Sequence, residues 1–183
     1  AFRFSTSAPD TSGLRCDEGY SADHAGYGYC DTRRSLVEQV YRWSPLMRPL
    51  LWDTCAAIWI SDQAELARAA LHLLASAHRE GAPSYISPIT AWEVGLLAAR
   101  GRVQLQIAPE RWFAKLLDIP GVKLAPMPPE LLIASSFLPG TPPRDPADRI
   151  VAATARDLGA TLITRDRVLL AYGKQGHVSV VEC

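Results

Sequence analysis

The chain has 183 residues, 48% of them hydrophobic and 21% charged, and nineteen basic residues balance nineteen acidic ones. This composition excludes wholesale disorder, and the zero net charge excludes a protein that coats nucleic acid by bulk charge alone. The four cysteines follow no zinc or disulfide spacing, and the chain has neither an apolar run of about eighteen residues nor an apolar signal core, so we expect a cytoplasmic protein without a membrane segment.

The composition changes near Met47. Gly, Ser, Asp and Tyr dominate the first part of the chain, which lacks the apolar surface needed to offset its conformational entropy. We therefore expect residues 1–46 to be a disordered extension, or upstream sequence translated from an early start. The dense apolar texture that follows predicts one folded domain over residues 47–183.

Short apolar runs alternate with helical periods along this domain. Asp145 is predicted to cap a helix whose first position is Pro146, after a loop rich in Pro and Gly. This alternation favours an α/β sandwich around a mainly parallel sheet. In chain order, the pattern predicts a strand at 49–53, a helix at 64–79, a strand at 84–87, helices at 88–100 and 111–117, a strand at 122–125, helices at 130–138 and 146–159, a strand at 160–164, a helix at 166–172 and a strand at 177–181.

Four acids occupy positions that a parallel sheet would bring together. Asp53 ends the first strand, Asp166 follows the fourth, and Glu93 and Asp148 lie in the first turns of helices. Asp148 and Asp166 also have an ordinary interpretation as helix-cap acids, whereas Asp53 and Glu93 lie in apolar segments where a lone acid is unfavourable. Four converging carboxylates repel one another unless a cation neutralises them or some of the carboxyls stay protonated. An all-oxygen set without His or Cys suits Mg²⁺ or Mn²⁺, which support phosphoryl chemistry.

These motifs resemble a known family, the PIN domains, and especially the VapC-type toxins of bacterial toxin–antitoxin pairs. The opening strand of that family is similar to LLWDTCAAIW, and its second acidic motif is similar to ISPITAWEVGLLAARGRVQL. Its third and fourth acidic motifs, run together, resemble RDPADRIVAATARDLGATLITRD, which is the most specific part of the match. The resemblance covers essentially all of residues 47–183 in the family's order.

The resemblance implies a PIN-like three-layer α/β/α sandwich and a divalent-metal-dependent endoribonuclease. It implies one or two Mg²⁺ or Mn²⁺ ions, an RNA substrate, a cognate antitoxin whose tail enters the groove beside the acids, and a homodimer. Asp166 more often acts through water in such sites, and the hydroxyls of Thr54 and Thr164 would support the carboxylates or a metal water. The acidic positions of the family, catalytic and metal-binding, fall on Asp53, Glu93, Asp148 and Asp166.

Some positions depart from the family or have a weaker interpretation. Cys55 stands where the toxins often have His, which affects a secondary contact and not the metal site. Arg149 and Arg165 are candidates for weak RNA contacts, although ordinary surface charge is the favoured interpretation for most of the arginines. Three of the five tryptophans lie near the predicted acidic motifs, and we expect them in the core or in a partner groove, not as base-stacking platforms. These are Trp52, Trp59 and Trp92.

Two alternatives remain open at this point. One is another Mg²⁺-dependent phosphoesterase on a similar sheet, but a haloacid-dehalogenase-type phosphatase needs an acid at the position of Cys55, and a receiver domain needs an acidic pair after the first strand. The other is a catalytically silent PIN-like module that binds a protein partner. The presence of all four acids argues against the silent module. A test for stabilisation by metal separates that module from the nuclease.

Overall fold

The computed structural model describes residues 48–183, and the prediction for residues 1–46 lies outside the described residues. Five parallel strands form one sheet in the order β3-β2-β1-β4-β5. The first strand is central, with Leu50 paired to Ser84 on one side and to Thr161 on the other. The strands are β1 (Leu50–Trp52), β2 (Ser84–Ile86), β3 (Val122–Leu124), β4 (Thr161–Thr164) and β5 (Ser179–Glu182).

Seven helices connect and cover these strands within the described part of the chain. None of them is long and apolar enough to cross a membrane. They are α1 (Thr54–Ser61), α2 (Arg68–Glu80), α3 (Pro88–Ala99), α4 (Pro109–Leu117), α5 (Pro129–Ser135), α6 (Pro146–Asp157) and α7 (Arg167–Lys174).

Side chains of the central strand alternate between two cores, because successive residues of a strand point to opposite faces. Leu50 and Trp52 pack with residues of α1 to α4 on one face. Leu51 packs with residues of α6 and α7 on the other face. The resulting layers, helix on sheet on helix, confirm the predicted α/β/α sandwich with a parallel central sheet.

The predicted elements are all present, with shifted ends, and one helix was not predicted. Helix α1 follows Asp53 and consists of TCAAIWIS, which is apolar on all sides and therefore shows no helical period. The predicted helix at 64–79 begins only at Arg68, and the one at 130–138 already ends at Ser135. Asp145 caps α6, and Pro146 is its first residue, as predicted.

Candidate active site

Asp53 lies at the carboxyl end of the central strand and caps helix α1. Its side chain is only 6% exposed. One oxygen accepts a hydrogen bond from the backbone N–H of Thr54 at 2.7 Å. The other accepts from the hydroxyl of Thr164 at 2.7 Å and from the thiol of Cys55 at 3.1 Å. Burial raises the pKa of the Asp53 carboxyl above its usual value, and these hydrogen bonds reverse only part of the shift.

Glu93 reaches the same place from the first turns of α3. Its carboxylate accepts a hydrogen bond of 2.5 Å from the hydroxyl of Thr54, which also contacts the hydroxyl of Thr90 at 3.2 Å. Burial raises the pKa of Glu93, the bond from Thr54 lowers it in part, and repulsion from neighbouring acids raises it further. Thr54, the residue that follows Asp53, therefore links the start of α1 to an acid of α3.

Asp148 lies in the first turn of α6, half-buried. Burial is the main cause that raises the pKa of its carboxyl from 3.8 to about 7, and repulsion from the other acids of the site adds to it. Such repulsion requires these carboxylates to share one region. The acids that repel Asp148 are Asp166, Asp53, Asp145 and Glu93.

Asp166 caps α7 just beyond the end of β4. Its side chain accepts hydrogen bonds from the backbone N–H groups of Val168 and Leu169, at 2.7 and 3.0 Å. Its own backbone N–H donates to the hydroxyl of Thr164 at 2.9 Å, and that hydroxyl donates to Asp53. Thr164 thus links the ends of two neighbouring strands through a single oxygen atom.

The four predicted acids therefore converge at the carboxyl edge of the sheet. Among residues 48–183, however, no three His, Cys, Asp or Glu side chains already stand in a metal-ligating arrangement. Protein donors hold the carboxylates of Asp53, Glu93 and Asp166. The cluster is an association of acids and not a finished ligand cage. Its donor set of carboxylates and hydroxyls still fits Mg²⁺ or Mn²⁺ by chemistry.

A cysteine, Cys55, lies beside the acids. A hydrogen bond with Cys183 is the main cause that raises the pKa of the Cys55 thiol, followed by burial and by the charge of Asp53. The thiol donates a hydrogen bond to Asp53 at 3.1 Å and accepts one from the backbone N–H of Arg165 at 3.2 Å.

The predicted arginines are engaged with the protein itself. Arg149 donates hydrogen bonds to the carbonyl oxygens of Ser135, Pro143 and Ser136, at 2.9, 3.3 and 2.8 Å. Its predicted contact with RNA stays a prediction, and these three bonds give it a structural role between α5 and α6.

Arg165 is similarly engaged. Its guanidinium lies over the ring of Trp59, with 3.4 Å from Cζ to the ring centroid, and donates to the carbonyl oxygens of Cys183 and Glu65. Trp52 is buried in the core, and Trp59 packs against the same cluster. Trp92 is instead 59% exposed, so of its two predicted locations the core is wrong.

Sequence reasoning missed two residues of the site. Asp145 was predicted only as a helix cap, but its charge also acts on Glu93 and Asp148. Thr90 was not considered, although it is fully buried and contacts the hydroxyl of Thr54. The available signal was spacing, because each lies three residues before a predicted acid on the same helical face.

The chain belongs to the PIN domain family, whose family model matches residues 50–175. It is 31% identical over 135 residues to Ribonuclease VapC22 of Mycobacterium tuberculosis (strain ATCC 25618 / H37Rv). That alignment covers 73% of this chain and 99% of the relative.

The chain is also similar to solved structures. The crystal structure of VapBC2 from Rickettsia felis, bound to a DNA fragment from their promoter, matches with a TM-score of 0.50 at 13% identity, over 73% of this chain and 97% of that one. The crystal structure of FitAcB from Neisseria gonorrhoeae gives a TM-score of 0.44 at 21% identity, over 72% and 95% of the two chains. At these identities, the first match supports the architecture alone.

Proposed function

We propose that this protein is a divalent-metal-dependent endoribonuclease that acts as the toxin of a toxin–antitoxin pair. The observation that carries the proposal is the convergence of Asp53, Glu93, Asp148 and Asp166 at one edge of the sheet in a chain of the PIN domain family. The similarity to a VapC ribonuclease along nearly its whole length supports RNA as the substrate.

The four acids would hold one or two Mg²⁺ or Mn²⁺ ions. Such an ion, when bound, supplies activation of water and stabilisation of the leaving oxygen in phosphodiester hydrolysis. The raised pKa values of three of the acids support this assignment, because a cation is the partner that would allow all of them to ionise together.

The remaining residues of the site hold the acids in place. Thr164 orients Asp53 by donating a hydrogen bond to it and fixes the backbone of Asp166 by accepting one. Thr54 orients Glu93 in the same way. Because hydroxyls are neutral donors, they position the carboxylates without neutralising the negative charge that a metal ion requires.

Cleavage of RNA by the full chain tests the proposal. We expect cleavage with Mg²⁺ or Mn²⁺ and none with a chelator. Asp53→Asn and Asp148→Asn should each lower the cleavage rate by more than the about 10–100-fold that is typical when a residue that only orients a metal ligand is replaced. The matched control is Asp118→Asn, an exposed acid at the end of α4 that takes no part in the cluster. Full activity of either site variant, or of the wild type in chelator, would refute the proposal.

Metal binding separates the enzyme from a silent binding module. A ligand that binds only the native state stabilises it, by about 2.7 kcal/mol at a free concentration 100 times its Kd. The thermal midpoint of the wild type should therefore rise with Mn²⁺, and that of Asp53→Asn should rise much less. A wild type that does not respond favours the silent module.

Exposed apolar side chains support protein partners, which we propose to be a cognate antitoxin and a second copy of the chain. Large exposed apolar residues mark interaction surfaces when they form a contiguous patch. The most exposed of these side chains are Phe137 (80%), Ile133 (62%), Trp92 (59%) and Val168 (50%).

A protein that cleaves cellular RNA acts in the cytoplasm, which is the compartment we propose.

A further inference from the structure

A second concave site lies at the amino edge of the sheet, opposite the acids. It is a cavity of about 650 Å³ between the end of α6, the start of β5 and the segment that leads into β1. Strand β4 runs from this cavity, beside Thr161, to the acid cluster, beside Thr164. Four residues of strand correspond to about 10 Å, so the two sites are separate.

The cavity carries positive charge without a compensating acid. Arg48, Arg156 and His177 line it, and no Asp or Glu from the described part of the chain does so. Among residues 48–183, Arg156 donates one hydrogen bond, to the carbonyl oxygen of His177. Arg48 is exposed and makes no hydrogen bond or ion pair with any residue between 48 and 183.

The rest of the lining is small and polar. Ser179 places a hydroxyl at the cavity, within 3.3 Å of the hydroxyl of Thr161. Gly159 and Gly176 turn the backbone with φ of +58° and +81°, and open space lies where their Cβ atoms would be. These residues leave room for a ligand in the cavity that the two arginines line.

We propose that this cavity binds a phosphate group. Guanidinium groups are planar, always charged and suited to bidentate hydrogen bonds with phosphate oxygens, and here two arginines and Ser179 line one cavity. The volume lies within the range of about 300–1,000 Å³ found for small-molecule sites, so a mononucleotide fits. The protein thus has an anionic edge for a cation and a cationic edge for an anion, which a net charge of zero conceals.

The phosphate has two sources with the same chemistry. It belongs either to a free nucleotide or to the backbone of a bound RNA at a distance from the bond that is cut. The second source rests on the proposed nuclease function, whereas the first does not. Binding and cleavage are therefore measured separately.

Calorimetry on the full chain, in chelator, tests the site with inorganic phosphate and with adenosine monophosphate as probes. We expect one binding event per chain for each probe. Arg48→Ala and Arg156→Ala should each weaken it about tenfold or more, because a hydrogen bond to a charged group is lost. Ser179→Glu, which adds a negative charge to the lining of the cavity, should abolish binding even if Arg156→Ala is unstable. Arg68→Ala, at an exposed arginine of α2, is the matched control and should bind as the wild type does.

Cleavage assays with the same variants identify the source. If the phosphate is part of RNA, Arg48→Ala raises KM for a long RNA but not for a short oligonucleotide, and the salt dependence of log K falls by about 0.7 per lost contact. If the ligand is a free nucleotide, cleavage of both RNAs is unchanged while nucleotide binding is lost. The proposal is wrong if neither probe binds at millimolar concentration, or if Ser179→Glu and both alanine variants bind as tightly as the wild type.

Discussion

Replacing Asp148 by Asn should stabilise the protein without metal and destabilise it, relative to the wild type, with metal. Asn has nearly the same shape as Asp but no charge, so it removes first the cost of burying a charge and then the repulsion from the other acids. No residue within 48–183 donates a hydrogen bond to Asp148, so little else is lost among the described contacts.

The magnitude follows from the raised pKa. A change from 3.8 to about 7 corresponds to about 4 kcal/mol at about 1.36 kcal/mol per pKa unit, if the carboxyl were fully shielded. Because Asp148 is only half-buried, solvent screening reduces the expected effect to about 1–2 kcal/mol. For a folded domain of this size, that is a rise of about 3–6 °C in the thermal midpoint.

The sign depends on pH. The folded protein keeps the proton of Asp148 up to a pKa of about 7, whereas the unfolded chain releases it near 3.8. Stability of the metal-free wild type therefore falls as pH rises through this window, and the loss is complete above it. Asp148→Asn should match the wild type near pH 4 and exceed it at pH 8.

Thermal or denaturant unfolding in chelator, at these two pH values, measures the difference. Adding Mn²⁺ at pH 8 should reverse the order, because the wild type gains more binding free energy than a variant with one ligand fewer. Asp118→Asn serves as the control and should change by no more than about 0.5 kcal/mol. If Asp148→Asn is no more stable than the wild type in chelator at pH 8, the electrostatic account of the cluster is wrong.

Three further substitutions test other contacts. Thr54→Val should weaken Mn²⁺ binding about tenfold by calorimetry, because it removes the 2.5 Å hydrogen bond to Glu93. Thr54→Ser, which keeps the hydroxyl, should bind Mn²⁺ as the wild type does. Equal Mn²⁺ affinities of Thr54→Val and the wild type would contradict the orienting role. Arg149→Ala should lower the free energy of unfolding by about 1.5–3 kcal/mol through its three carbonyl bonds, and a raised KM for RNA at unchanged stability would show that it binds substrate instead. Gly173→Ala should lower the free energy of unfolding by about 1–3 kcal/mol in denaturant titration, because its Cβ would lie 2.2 Å from a methyl group of Val180. If Val180→Ala, added to this variant, does not restore part of the loss, the clash is not the cause.

Local rules were sufficient for most elements of the fold. Strands, caps and turns depend on neighbouring residues, so Asp145 with Pro146 predicted the start of α6, and the apolar runs predicted all five strands. Helix α1 was not predicted, because it is buried enough to be apolar on every side. It therefore lacks the alternation of apolar and polar residues that marks a surface helix.

The identity of the four acids was also accessible, because acids in apolar segments and at strand ends are unusual positions. Their mutual arrangement was not. The bond from Thr164 to Asp53 joins residues 111 positions apart, and it exists because β4 lies directly beside β1 in the sheet. The bond from Thr54 to Glu93 spans 39 positions in the same way.

The sequence by itself thus determined the architecture and the family, and it predicted the acids that would hold a metal ion, because these depend on residue type and on short-range order. Tertiary structure alone decided which hydroxyl holds which carboxylate, that Arg149 and Arg165 are bonded to carbonyl oxygens, and that Arg48 and Arg156 share a cavity. The physical reason is that side chains distant in sequence meet only where the order of the strands brings their ends together.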